Sequence, residues 1–399
     1  PKKGLYLGSV PQAPSVIKKI GQSVVSVCIC NGHWLSSIHH LNLHQNAKKS
    51  SITIIKSEPI MSTAKSINAY AILEPGGQFE SYSYPVDDLK NNEVEMDVLH
   101  SGICHSDLSM VENEWGLTKY PLVAGHEIIG KITAKGADVH GLKPGTVVGL
   151  GWHSGYCGHC HPCKTGDQNL CPSAVRTIIG HNGGFAEKVR AQASSVVVIP
   201  EGMDPVSAGP LLCAGITVFN PIVQFGIKST DKVAVIGIGG LGHLALQFLN
   251  AWGCEVTAFT SSDSKHQEAL DLGAHKTLNS RDPDALKNAA SSFDFIISTV
   301  NVKLEWNLYL NALKPKGRLH FVGAITAPLD ISMFPLMLGQ REVSGSPVGS
   351  PATIETMLDF ANLHNIKPQV ECFPMTEINQ AFAHLKTGDA RYRIVLSND

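Results

Sequence analysis

Residues 233–249 read VAVIGIGGLGHLALQFL, and the fold turns on them. An apolar strand-like run leads into Gly237, Gly239 and Gly242 in GxGxxG order, and an apolar helix-like run follows. The first glycine permits a tight turn and the second lets backbone approach a pyrophosphate. The third lets helix pack on strand, with the helix N-terminus facing the anion. Gly240 and Leu241 complete the same turn. A strand-to-helix turn with no ligand is the plain alternative, but the flanking strand and helix favour a dinucleotide loop.

Downstream, EVTAFTSS (255–262), a helical stretch around Lys265 to Leu272, FDFIIST (293–299) and GRLHFVG (317–323) continue the alternation of strand and helix. Such alternation builds a parallel sheet covered by helices. Upstream, from Ala69 to about Pro200, short runs such as KITAKG, TVVGLG, AEKVRA and SSVVVIP are punctuated by Gly and Pro, which predicts a mostly β region. The stretch 352–382 has helical and loop features, and RYRIVLS (391–397) reads as a strand returning to the first domain. The predicted organisation is α/β: a catalytic domain at 61–214 and 351–399, and a dinucleotide-binding domain at 215–350. Residues 1–60 are rich in Ser, Lys and His, carry prolines at 1, 11, 14 and 59, and predict a poorly packed extension. The sequence MSTAKSINAYAILEPGG, from Met61, reads as a natural start.

Composition narrows the class. The 399 residues are 43% hydrophobic and 17% charged, enough apolar matter for buried cores. Lys plus Arg total 32 against 34 Asp plus Glu, with no long basic run, so no nucleic-acid partner is expected. The apolar run Val24 to Cys30 is too short to cross a bilayer, and no membrane association is expected. Ten cysteines, clustered at metal-ligand spacing in a long chain, read as thiolates in a reducing compartment, the cytoplasm.

About twenty residues beyond the glycines, an NAD site ends its second strand with a carboxylate for the ribose hydroxyls. Here stand Thr260, Ser261 and Ser262, then Lys265, which accept a 2′-phosphate that a carboxylate would repel. NADP(H) is therefore favoured over NAD(H), with Asp263 the residue that opposes this reading.

Cys157, Cys160, Cys163 and Cys171 lie in CGHCHPCKTGDQNLC, a CxxCxxCx7C run. Four thiolates on one loop wrap a tetrahedral zinc and leave no open position, which makes the site structural. His159 and His161 compete as ligands, but the cysteines suffice without them. A second set is dispersed: Cys104 in GICHSD, His126 and Glu127 in AGHEIIG, and Cys213 in LLCAGIT. Singly, each has a dull explanation in core packing.

Together, from about Met61 to the end, these motifs resemble the zinc-containing medium-chain alcohol dehydrogenases, and the HSD, GHE and LLCAGIT forms resemble their cinnamyl alcohol dehydrogenase branch. The resemblance implies a Rossmann-type cofactor domain beside a mostly β, GroES-like catalytic domain, with two zinc ions per chain. It implies a catalytic zinc held by Cys104, His126 and Cys213, with Glu127 able to approach the metal and Asp107 fixing the His126 tautomer. Ser106 would pass a proton to or from the substrate oxygen, and Thr217 would flank the nicotinamide. Arg393 resembles a family arginine that reaches a cofactor phosphate.

The position that many relatives fill with a relay histidine is Ser109, so the proton would leave through a ribose hydroxyl and water, or through His105. By alignment with the family, Met110, Trp115, Trp152, Met337, Leu338 and Val348 would line the substrate side. The expected reaction is hydride transfer between NADP(H) and a hydrophobic aromatic or aliphatic aldehyde and its alcohol, in a homodimer joined through the cofactor domains. An NAD-linked alcohol or polyol dehydrogenase, and a non-catalytic nucleotide-binding protein of the same fold, remain the alternatives. The complete zinc-ligand set weighs against the latter.

Overall fold

The computed structural model describes residues 65–261 and 265–398, together with the short strands Lys18–Ile20, Ser23–Val25, Val27–Cys30 and His33–Ser36. The chain divides into two units, Pro1–Ser62 and Thr63–Asp399. In the first, the four short strands form two antiparallel pairs. The expectation of a poorly packed extension concerns side chains outside the described residues.

In the second unit the decisive stretch forms strand Lys232–Ile236 and helix Gly242–Trp252. This strand is central to a six-stranded, wholly parallel sheet ordered Lys276–Asn279, Glu255–Thr260, Lys232–Ile236, Phe293–Ser298, Leu313–Phe321, Glu342–Gly345. Counted along the chain the order is 3-2-1-4-5-6, the doubly wound dinucleotide arrangement, with the strand order reversing beside the glycine loop. Alternate side chains feed two cores: Val233 and Val235 pack with Leu244, Phe248 and Leu249, while Ala234 and Ile236 pack with Trp306, Tyr309 and Leu310. Burial on both faces explains why the strand is apolar throughout.

The second large sheet has seven strands. Val196–Val198, Val147–Leu150, Glu127–Lys135, Glu93–Ile103, Arg393–Ser397 and Val370–Pro374 follow in order, and Lys188–Gln192 also pairs with Glu93–Ile103. Val94, Met96 and Val98 are buried while Glu95 and Asp97 are only half-buried, the period of two expected of a sheet with one packed face. The C-terminal strand pairs antiparallel with Glu93–Ile103 and parallel with Val370–Pro374, so the chain does return to the sheet it began.

Between the sheets runs Pro205–Gln224, long and apolar enough to cross a membrane by length and composition, yet 83% buried within the protein. Asp204 starts it, its carboxylate accepting from the Val206 and Ser207 amides at 3.3 and 3.2 Å. Its centre, Leu211–Gly215, widens to a π-helical turn that carries Cys213. Single π turns inside helices are frequent at functional sites.

Candidate active site

Three distant segments meet at one buried point. Cys104 caps helix His105–Val111 where strand Glu93–Ile103 ends, His126 and Glu127 open strand Glu127–Lys135, and Cys213 comes from the π turn. Their ligand atoms all lie within 4.8 Å of one another, and all four residues are buried. Cys104 Sγ is 3.9 Å from Cys213 Sγ, which in turn is 3.3 Å from His126 Nε2. Two sulfurs bound to a tetrahedral zinc stand about 3.8 Å apart, so the spacing fits such an ion.

Around this set the polar contacts are directed. Asp107 Oδ1 faces His126 Nδ1 at 3.0 Å and accepts from the Gly125 amide at 2.8 Å; Asp107 Oδ2 accepts from the Cys104 amide at 2.9 Å. Burial alone would lower the His126 pKa, but Asp107 overrides it and raises it well above the usual value. The Cys104 thiol is held well below its usual value, first by its hydrogen bond with Cys213 and then by Arg393 and His126, which suits a metal thiolate.

Glu127 forms a buried ion pair with Arg393, and its other oxygen, Oε2, has no hydrogen-bond partner. Burial pushes its carboxyl up to about 7 against the pull of Arg393. A Cβ at Gly102 would stand 2.1 Å from Glu127 Oε2, so only glycine leaves this carboxylate its room.

The expected substrate wall is assembled only in part. Trp152 stands edge-on to His126 at 5.0 Å, and Trp115 meets Trp152 at 6.3 Å. Val348 is buried in the core that also holds Ile216, and Thr217 is buried in helix Ile216–Gln224, four residues after Cys213. Met110 is fully buried among Phe79, Phe185 and Ile394, in a core rather than a cleft. Met337 and Leu338 are 66% and 82% exposed on helix Met333–Gly339. Ser106 is half-buried and His105 exposed; Ser109 is buried and donates to the exposed Glu114 at 2.7 Å.

The glycine loop lies close by. Gly237 has φ +87°, and a Cβ at Gly242 would fall 1.9 Å from the Gly237 carbonyl oxygen. At Gly239 a Cβ would meet nothing within 4 Å, leaving the space that a bound pyrophosphate uses. Leu241 caps helix Gly242–Trp252. A Cβ at Gly240 would come 2.8 Å from Arg393 Nη1, so Arg393, rather than lying at the surface, spans from this loop to Glu127.

Lys265 donates to the Ile238 carbonyl at 3.1 Å, and Ser261 is exposed at the end of strand Glu255–Thr260. Ser262 and Asp263 lie outside the described residues. A cavity of about 340 Å³ opens here, lined among others by His105, Gly239, Gly240, Lys265, Arg391 and Tyr392. Sequence reasoning missed Arg391, Tyr392 and His243. The buried His243 ring stacks on Tyr392 at 4.8 Å, and its Nδ1 faces the Gly239 carbonyl at 3.0 Å. No local spacing marks them, since the wall forms only when the C-terminal segment folds back. A larger groove of about 920 Å³ lies by hairpin residues such as Tyr70 and Tyr82, and none of the clustered metal-ligand residues lines it.

On a separate lobe, Cys157, Cys160, Cys163 and Cys171 bring their sulfurs within 4.8 Å of one another. Cys157 lies 4.0 Å from Cys163 and 3.6 Å from Cys171, again near a tetrahedral edge of about 3.8 Å. His159 is not part of the group; its Nδ1 bonds the Cys157 carbonyl at 2.7 Å.

With this geometry in place, the relatives are informative. The alcohol dehydrogenase GroES-like domain family matches residues 90–201, and the zinc-binding dehydrogenase family matches residues 240–362. An aldehyde reductase from Synechocystis is 59% identical over 332 residues, covering 83% of this chain and 99% of its own. A cinnamyl alcohol dehydrogenase structure from Sorghum bicolor superposes with a TM-score of 0.80 at 37% identity, covering 84% of this chain and 98% of its own. The CAD from Helicobacter pylori, solved in complex with NADP(H), gives 0.77 at 31% identity, with 84% and 98% covered.

Proposed function

The chain belongs to the zinc-dependent medium-chain alcohol dehydrogenases, with cinnamyl alcohol dehydrogenase-like character, and from that premise we propose that it reduces hydrophobic aldehydes with NADPH. It is an oxidoreductase of the aldehyde and alcohol pair that uses NADP(H) and two zinc ions, one catalytic and one structural. The observation that carries the reading is the convergence of Cys104, His126, Glu127 and Cys213 at one buried point beside the glycine loop.

Bound at these sites, zinc supplies a Lewis acid that polarises a carbonyl, and the reduced nicotinamide supplies a hydride. Cys104, His126 and Cys213 would hold the catalytic ion and leave a fourth position open, while Asp107 keeps the His126 ring aimed inward. Glu127, held by Arg393, keeps one unpartnered oxygen by the metal ligands and could approach a bound ion from there. Ser106 would deliver a proton to the product oxygen. Trp115 and Trp152 give the site an aromatic wall that excludes water and favours aromatic or medium aliphatic aldehydes over sugars and acids. Cys157, Cys160, Cys163 and Cys171 would hold the structural ion.

Gly237, Gly239, Gly240, Leu241 and Gly242 would seat the pyrophosphate, Arg393 and Thr217 would flank it towards the nicotinamide, and Ser261, Ser262 and Lys265 would take the 2′-phosphate. Residues 61–214 and 351–399 serve as the catalytic domain and 215–350 as the cofactor domain in this assignment. A homodimer fits the cofactor half, where edge strand Glu342–Gly345 and the exposed Met333, Phe334, Met337 and Leu338 remain uncovered in the single chain. Reduced thiols at both metal sites suit a cytoplasmic location.

The test is the rate of NADPH and NADH oxidation by the zinc-loaded protein with cinnamaldehyde and benzaldehyde. Faster turnover with NADPH is expected. Faster turnover with NADH removes the cofactor assignment, and no turnover with either removes the activity.

A further inference from the structure

The cavity beside the glycine loop has a second wall. Gly239, Gly240 and Lys265 approach from the parallel-sheet side, and Arg391 and Tyr392 approach from the segment entering the C-terminal strand. Lys265 Nζ and the Arg391 guanidinium both stand 5.7 Å from the centre of the Tyr392 ring. Two cations from opposite sides of the cleft thus flank one aromatic ring. Burial first and then the charge of Arg391 lower the Lys265 pKa, against the opposing pull of Glu268, so the two cations stand close enough to feel each other.

Other cations here are engaged: Lys386 is 2.6 Å from Glu112, and Arg393 is buried against Glu127. Among the described residues, the carboxylate that the Arg391 side chain meets is Glu268, at a long 3.8 Å from Nε to Oε1, with side chains 47% and 28% exposed. An exposed pair at that distance is weak, whereas guanidinium and phosphate match as a two-pronged hydrogen-bonded pair.

We infer that Arg391 is a specificity-determining ligand of the cofactor 2′-phosphate, clamping it against Lys265 from across the cleft, and that Glu268 holds Arg391 when no phosphate is bound. The inference rests on the NADP(H) reading above. It makes the choice of cofactor a joint property of two parts of the chain, and the phosphate draws them together.

Dissociation constants for NADPH and NADH, read from nicotinamide fluorescence on the zinc-loaded protein, test it, with 2′,5′-ADP and 5′-AMP as calorimetric probes. Arg391→Met keeps the apolar stem and loses the charge. It is expected to weaken NADPH and 2′,5′-ADP by about tenfold or more, the range for one charged hydrogen bond, while NADH and 5′-AMP stay unchanged and report an intact fold. Arg391→Lys is expected to recover part of the loss, and Glu268→Gln to tighten NADPH a few-fold. Equal weakening of both cofactors by Arg391→Met, or no effect on either, overturns the inference while the NADP(H) reading stands. A wild-type protein that binds NADH as tightly as NADPH overturns the reading itself.

Discussion

Asp107 and His126 meet at 3.0 Å, Oδ1 to Nδ1, with both side chains fully buried. The same carboxylate accepts from the Cys104 and Gly125 amides, so one side chain aims the imidazole and fixes the backbone that carries two of the metal ligands. Asp107→Asn is expected to weaken zinc binding at this site by about 10- to 100-fold while the ion at the four cysteines is retained. Zinc content per chain during a chelator titration checks it; two ions lost together, or neither lost early, would count against the separation.

The glycines of the loop separate two kinds of need. Gly239→Ala meets nothing in the protein, so the variant is expected to fold with an unchanged thermal midpoint and to bind cofactor poorly. Gly242→Ala sets a methyl 1.9 Å from the Gly237 carbonyl oxygen and is expected to lower the midpoint itself. Thermal denaturation and cofactor titration of both variants distinguish the two effects.

Three buried histidines make the fold sensitive to acid. Burial lowers His153, His243 and His320 to about 4 from an ordinary 6.5. Between those values the unfolded chain binds more protons, so their contribution is complete above pH 6.5 and is lost as pH falls towards 4, by at most about 3 kcal/mol for each. His320 sits between the Ser344 and Ser346 hydroxyls at 2.9 and 3.0 Å. His320→Asn is expected to flatten the pH dependence of the urea midpoint across this window; an unchanged slope would remove His320 from the account.

The family resemblance assigns Ser109 the place of a relay histidine, and its hydroxyl is committed to Glu114 at 2.7 Å. A serine hydroxyl is not a base near neutral pH. Alcohol oxidation is therefore expected to be slower and more pH-dependent than aldehyde reduction, with Ser109→His raising the oxidation rate near neutrality. Paired initial rates in both directions across the neutral range decide it, equal and flat profiles speaking against a relay deficit.

The features legible in the sequence are those whose partners are close along the chain. The glycines of 237–242 and the cysteines of 157–171 each sit on one short segment, where chain connectivity enforces proximity. The dispersed site was readable only through family likeness, because Cys104 and Cys213 are 109 residues apart and either alone is an ordinary buried thiol. The substrate wall was harder still. Met110 lies one helical turn from the half-buried Ser106, and tertiary packing places it in the core with Phe79 and Phe185.

What the sequence determined by itself is the doubly wound sheet, the dinucleotide loop and the four-cysteine site, since strand and helix periods and short-range ligand spacing are properties of local chain geometry. What only the tertiary structure decided is the pairing of Arg393 with Glu127 across 266 residues, the π turn that presents Cys213, and the meeting of Lys265, Arg391 and Tyr392 around one cavity. Those relationships arise when the C-terminal strand closes onto Glu93–Ile103 and carries its side chains to the glycine loop, a placement set by sheet pairing over long distances rather than by any local pattern.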